Sequence, residues 1–431
     1  MPSSSRVRSG RDLVRLKGVG ASAVGLLLAI AAANPAAAET DLFGRDTLSG
    51  VLDARLSAAD GETSFLDGGL GKTQYSGGGA NVAVRPTLDL AALVWRPQLG
   101  GDLGASVTAQ GQSGQTHGID LAEAYLQYRP VPHSATRFGW RVGLMWPPAS
   151  LEHDGVGWTT TRTLTPSAIN TWISEEVKGV AAEAFVSRDI GGHRLSVTAA
   201  AFGENDTAGA LLTYRGWALD DVRATAFGTS PLPQLRSDSY LRLPDDTQPV
   251  VNLDGRPGGY AKLEWRPPAP MALQAFVYDN GADPGAVKDG YWGWRTTFAD
   301  LGLTARPGAG VEVLAQALAG HTYSGPYTSR GWRNDVDFNS AYLLATEVQG
   351  RHRFTVRGDA FEVKNNAAPV FGEHGEHGWS ATGDYAYALT PNLSLWVETM
   401  HVWSGRSERS SADLLPGQPQ NVLQIAVRAA L

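Results

Sequence analysis

From residue 47 to the final leucine, apolar side chains recur at every second position, and this period of two predicts β-strands with one greasy and one polar face. In HRLSVTAAAF, Leu195, Val197, Ala199 and Ala201 share a face opposite Arg194, Ser196 and Thr198. In RFTVRGDAF, Phe354, Val356, Gly358 and Ala360 oppose Arg353, Thr355, Arg357 and Asp359. TLDLAALVW groups Leu88, Leu90, Ala92 and Val94, and RFGWRVGLMW groups Phe138, Trp140, Val142, Leu144 and Trp146. Carried along the chain, the pattern predicts 18 strands, near 47–59, 82–96, 102–112, 119–129, 136–146, 177–188, 193–203, 208–218, 221–229, 257–267, 271–280, 290–305, 310–320, 337–349, 352–364, 377–389, 392–404 and 420–431.

The links between these strands are of two kinds. Those after even-numbered strands are short: WRPQLG, YRPVPHSA, WRPPAP, ARPGAG and LTPN set a proline two residues beyond an apolar or aromatic one, and RDIGG, ALDD and QGR are as brief. Most of the others are long, at 60–81, 147–176, 230–256, 321–336 and 405–419. Short turns at one end and long loops at the other are the pattern of a membrane barrel with periplasmic turns and extracellular loops. Trp95, Tyr128 and Trp265, close to the prolines, fit an interfacial girdle. A closed sheet pairs every backbone group in lipid without any long apolar run, which accounts for a mean hydropathy of only −0.19. The expected fold is therefore all-β, a transmembrane antiparallel up-and-down β-barrel of 16–18 strands. A soluble secreted glycan-binding β-protein would alternate as well, but it does not predict the two kinds of link.

Arg6, Arg8, Arg11, Arg15 and Lys17 precede an apolar run from Ala21 to Ala33, and Ala36-Ala37-Ala38 offers small residues for cleavage. Residues 1–38 read as a secretory signal peptide, too short and alanine-rich for a membrane span, leaving 39–431 as the barrel. Export of this kind places the protein in the outer membrane of a Gram-negative bacterium, among its lipids. The remainder carries 31 basic and 42 acidic residues, a net charge of −11, with no tract of four like charges, so nucleic-acid binding has no electrostatic footprint. Cysteine is absent, so no disulfide holds the exported chain together.

The last residues, NVLQIAVRAAL, put Leu423, Ile425, Val427, Ala429 and Leu431 on one face. They resemble the C-terminal signal of outer-membrane barrels, which usually ends in Phe or Trp where this chain has Leu431. DLAEAYLQYRP at 120–130 and FGWRVGLMWPPASLE at 138–152 resemble the phosphate- and polyphosphate-selective porin family, through Ala124, Tyr125, Tyr128, Val142, Gly143, Pro148 and Glu152. The resemblance implies a porin, commonly a trimer, whose third loop folds inward. Here that loop is 147–176, and it accounts for so regular a strand feeding so long a link.

Anion selectivity in that family needs several basic residues at the constriction. Residues 147–176 hold only Arg162, against Glu152, Asp154, Glu175 and Glu176. On polar strand faces, Arg55, Arg137, Arg141, Arg353 and Arg357 are placed either to line the pore as a ladder or simply to carry solvated charge; Asp53 and Asp359, two residues from Arg55 and Arg357, offer local neutralisation. The candidate pore-lining set is Arg55, Arg137, Arg141, Glu152, Asp154, Arg162, Arg353 and Arg357. EHGEHGW offers His374 and His377 beside Glu373 and Glu376 to a divalent metal, but a mobile Gly-rich loop explains the same residues better. No G-x-S-x-G or H-E-x-x-H appears. The expectation is a passive channel for small hydrophilic solutes or ions, anions such as phosphate among them, with no cofactor, no catalytic residues and no enzyme activity. An enzyme or receptor on a barrel scaffold is the alternative.

Overall fold

A computed structural model describes residues 42–233 and 244–431. The expected signal peptide lies outside these residues, as do positions 234–243 of the expected 230–256 loop. Sixteen antiparallel strands form one closed transmembrane sheet: β1 Leu48–Gly61, β2 Gly79–Trp95, β3 Leu103–Gln112, β4 Asp120–Tyr128, β5 Thr136–Met145, β6 Gly179–Ile190, β7 His193–Gly203, β8 Gly258–Arg266, β9 Met271–Asp279, β10 Trp294–Gly308, β11 Val311–Ser324, β12 Asn334–Gln349, β13 His352–Asn365, β14 Glu376–Thr390, β15 Leu393–Arg406 and β16 Gly417–Ala430. Each strand pairs with its sequence neighbours, and β16 closes on β1 from Val51↔Ala430 to Ala59↔Val422. Closure leaves no edge with unpaired donors and acceptors in lipid.

The faces follow the alternation. Phe354, Val356, Leu423, Ile425 and Val427 are exposed on the outer wall, while Arg357, Asp359, Gln424 and Arg428 are buried on the inner one. At the short-turn end, Tyr128 and Trp140 stack at 5.9 Å and Trp265 is exposed, as a girdle requires.

Two predicted strands do not form. Segments 208–218 and 221–229 lie within one long link, residues 204–257, between β7 and β8. There Ala210–Tyr214 form a short helix, and everything from Asn205 to Thr225 is buried. The apolar residues read as a lipid face are inside the barrel, covered by its wall. Two single-strand readings also change. β1 pairs Asp53 with Leu90 and Ala54 with Leu88, a bulge that turns Asp89 inward; Leu88 stays outside at 62% exposure, whereas Leu90, Ala92 and Val94 are buried inside. Trp146 falls past the end of β5 and is buried, its ring stacked on Trp158 at 4.2 Å and under the Lys178 ammonium at 3.5 Å.

Candidate functional site

The loop between β5 and β6 enters the barrel and carries helix α1, Ala168–Glu176, all nine residues of which are buried. Ser167 starts the helix as an N-cap, accepting from Asn170 N. Glu152 accepts from Ser167 N at 2.9 Å and Asn170 Nδ2 at 2.6 Å. The wall holds the same turn: Asp359 Oδ1 accepts from Ala168 N at 3.2 Å, and Glu398 Oε2 from Leu164 N at 2.8 Å and Thr165 N at 3.1 Å. Carboxylates at a helix N-terminus meet both its orphan N–H groups and its dipole.

The other face of α1 meets an apolar inner wall. Trp172 packs edge-on to Phe298 and Phe338, each at 5.2 Å, within a cluster that also takes in Phe276, Tyr278, Tyr342 and Phe361. Burying one tryptophan removes enough surface from water to contribute roughly 4–6 kcal/mol before entropy is counted. That wall explains why β9–β12 carry aromatic and aliphatic residues on their inner faces too, beside buried polar ones such as Gln274, Asp300 and Gln316.

The 204–257 link, loop 4, crosses the barrel nearer its long-loop end. Trp294 N donates to Asp206 O at 2.7 Å, Trp217 N to Glu376 Oε2 at 2.9 Å, and Arg406 Nη2 to Thr213 O at 2.9 Å. Beyond the short helix, residues 220–226 run as a strap between α1 and the β3–β4 wall. Thr171 Oγ1 donates to Asp220 O at 2.8 Å, Ala224 N to Ser174 O at 2.8 Å, Arg223 N to Gln112 Oε1 at 3.1 Å and Ala226 N to Leu121 O at 2.8 Å. Gly209, at φ +107°, lies so close to β10 and β11 that a Cβ would meet Thr322 Oγ1 at 2.2 Å and Thr296 Oγ1 at 2.6 Å.

Opposite the apolar wall, β13–β16 and β1–β3 present charge. Arg55 is paired with Asp53, with Asp89 at 3.2 Å and with Asp221 of the strap. Arg428 joins Asp53 at 2.6 Å and donates to Thr160 O at 2.7 Å. Arg357 is 2.9 Å from Asp359 and 3.4 Å from Glu152, and donates to Thr165 O at 2.6 Å. Toward the short-turn end, Arg162 bridges Asp154 at 2.9 Å and Glu312 at 2.6 Å. Arg353 has Arg162, Asp154 and Asp384 as charged neighbours, and no carboxylate within 4.0 Å of it among the described residues. A cavity of about 460 Å³ opens there, lined by Asp154, Arg162, Lys262, Arg306 and Glu312; at the long-loop end another, of about 450 Å³, is floored by Gln74, Tyr75 and Thr87.

The eight residues nominated from the sequence thus divide. Glu152 and Arg357 meet at the N-terminus of α1, Glu152 serving as its clamp, whereas Arg55 sits in a separate cluster with Asp53, Asp89 and Asp221. Asp154 and Arg162 line the short-turn cavity, while Arg353 is an electrostatic neighbour of both without lining it. Arg141 lies on a separate stretch of inner wall, held by Glu183 at 2.7 Å, and Arg137 reaches only the rim, 2.8 Å from Asp189. His374 and His377 do not converge. His374 is buried with Nδ1 2.8 Å from Glu408 and its ring edge-on to Tyr214, so its loop is anchored; His377 is exposed on the outer wall beside Trp403. The strap residues Asp221 and Arg223 escaped sequence reading because 221–229 reads as a strand, and Asp220 because ALDD reads as a short link. In the neighbouring segment 208–218, Gly209 and Gly216, both at positive φ, were the available signal against a strand.

The architecture is that of a 16-strand transmembrane β-barrel with two loops folded into its interior. No family model matches the chain, and no curated protein does. Among solved structures, the chain is similar to the outer-membrane channel DcaP of Acinetobacter baumannii, with a TM-score of 0.55 and 12% identity, covering 89% of this chain and 96% of that one. It also aligns with an anion-selective porin from Comamonas acidovorans (TM-score 0.49, 12% identity, 89% and 99% covered) and with OmpT of Vibrio cholerae (0.47, 8%, 89% and 97%). At 12% identity the likeness to DcaP shows the fold alone.

Proposed function

We propose that the protein is an outer-membrane porin, a passive diffusion channel for small hydrophilic solutes and ions, exported with cleavage after Ala38 and assembled as a homotrimer. The observation that carries this reading is a seam of polar and charged side chains inside the barrel, each within hydrogen-bond or electrostatic reach of the next. It descends from Gln74, Tyr75 and Thr87 through Arg55, Asp89 and Asp221 to Asp53 and Arg428, then past Asp384 and Arg353 to Arg162 and Asp154. Along it, Ser57 Oγ, Thr87 Oγ1, Gln110 Oε1, Asp221 Oδ1 and both carboxylate oxygens of Asp384 are buried without a hydrogen-bond partner in the protein. Buried polar atoms of this kind bind water or ions. Across the barrel the wall is mainly aromatic, with fewer polar groups such as Asp300 and Gln316, so permeation favours the charged side of the lumen, and charge and width select along it.

The resemblance at 120–152 extends the proposal to phosphate among the solutes. Most seam arginines already face carboxylates at hydrogen-bond distance, which favours modest selectivity over a dedicated phosphate ladder. Liposome swelling with sugars of graded size tests the channel: folded protein should pass the smallest sugars and exclude larger ones. Folded protein that admits none would contradict a diffusion channel.

A further inference from the structure

Loop 4 brings into the seam a charge unlike the others there. The strap fixes the backbone of Arg223 from both sides, through Gln112 and through the Ala224–Ser174 bond. Its side chain is 2% exposed, yet among the described residues Nε and Nη1 have no hydrogen-bond partner, and its one ion pair, Nη2 to Asp221 Oδ2, is long at 3.8 Å. Arg55, Arg357 and Arg428 each hold a carboxylate at 3.0 Å or less. Asp89, Arg55, Arg428 and Lys178 are further charged neighbours of Arg223, with His153 also in reach, and Asp221 Oδ1 is itself without a partner among the described residues.

At this level of the seam three arginines, Arg55, Arg223 and Arg428, stand against three aspartates, Asp53, Asp89 and Asp221. Their availability differs. Two of the guanidiniums are spent on carboxylates, whereas Arg223 keeps Nε and Nη1 without a partner among the described residues. A guanidinium taken out of water and left without a close counter-charge attracts an anion strongly, and fixed donors bind one without reorganising.

Building on the channel reading, we propose that Arg223 is the specificity-determining residue for small anions, a halide or an oxyanion such as a carboxylate or phosphate, which it meets as they pass the strap. The ion preference of the pore then depends on loop 4 as well as on the third loop. Removing this positive charge makes the level more negative, and removing Asp221 makes it more positive.

Reversal potentials across a bilayer under a potassium chloride gradient test this on the full-length protein and three variants, each first shown to migrate as a folded barrel. Arg223→Gln should lower the chloride-to-potassium permeability ratio by at least roughly threefold, and Asp221→Asn should raise it. Arg188→Gln, on the outer face of β6, should leave it unchanged. An unchanged ratio in both Arg223→Gln and Asp221→Asn, with the parent conducting, overturns the role of Arg223 alone. A folded parent that passes no current overturns the channel reading and this inference together.

Discussion

Gly209 and Glu176 show how single residues keep the two inner loops together. A side chain at Gly209 would need room that two buried threonines of β10 and β11 occupy, at a φ that non-glycine residues rarely adopt. Gly209→Ala should therefore release loop 4 while the barrel still forms, and single-channel recordings should show larger or noisier steps. Glu176 joins the loops directly: its Oε1 accepts from Leu211 N at 2.9 Å and its Oε2 from Trp172 Nε1 at 2.7 Å. Burial pushes its carboxyl up to about 7, partly offset by those bonds. A carboxyl raised in the folded state from an ordinary 4.5 binds more protons than the unfolded chain between those values, so the stabilisation is present below pH 4.5 and is lost as pH rises through about 7. Hydrogen exchange of residues 168–176 should accelerate from pH 5 to pH 8 beyond its intrinsic pH dependence, and Glu176→Gln should flatten that excess. At this scale the sequence discloses pairs close along the chain: Asp53 beside Arg55 and Asp359 beside Arg357 are legible from a spacing of two. Asp221 with Arg55, and Glu152 on α1, are not, because each joins segments far apart in the chain.

Among elements, the strands were the most legible because their period is imposed by lipid on one side. Sixteen of the 18 predicted strands form, and the two that fail, at 208–218 and 221–229, are where the rule loses its cause. Leu211, Leu212, Trp217 and Leu219 are apolar because they pack inside the barrel, and a segment buried on every side carries no reliable period. The third loop was legible from its length, whereas the second inward loop was hidden by its own apolar residues. Two loop variants measure what each contributes. Deleting residues 153–172 should raise conductance only in part, because loop 4 still crosses the lumen. Phe202 pairs with Gly258, so a short Gly–Ser turn can replace residues 206–254. That variant should show the larger rise if loop 4 is the outer restriction, and an unchanged conductance in a folded barrel would place loop 4 outside the path.

For the whole molecule, closure is the condition for standing in a membrane. β16 pairs with both β15 and β1, so deleting residues 420–431 should abolish heat-modifiable migration and leave degraded or aggregated material. Leu431→Phe, by contrast, should assemble at least as well as the parent, since an aromatic ring suits the lipid interface. Intact mass of the protein from an outer-membrane fraction should correspond to a chain beginning at Glu39; a mass retaining residues 1–38 would contradict the proposed cleavage. The central claim, that two inward loops leave a one-sided polar seam through which small ions diffuse, is tested most directly by single-channel conductance of the purified, refolded protein in a planar bilayer. The account predicts discrete steps in the parent and larger steps when loop 4 is shortened. Correctly folded parent and loop-4 variant that both insert and carry no current would contradict it.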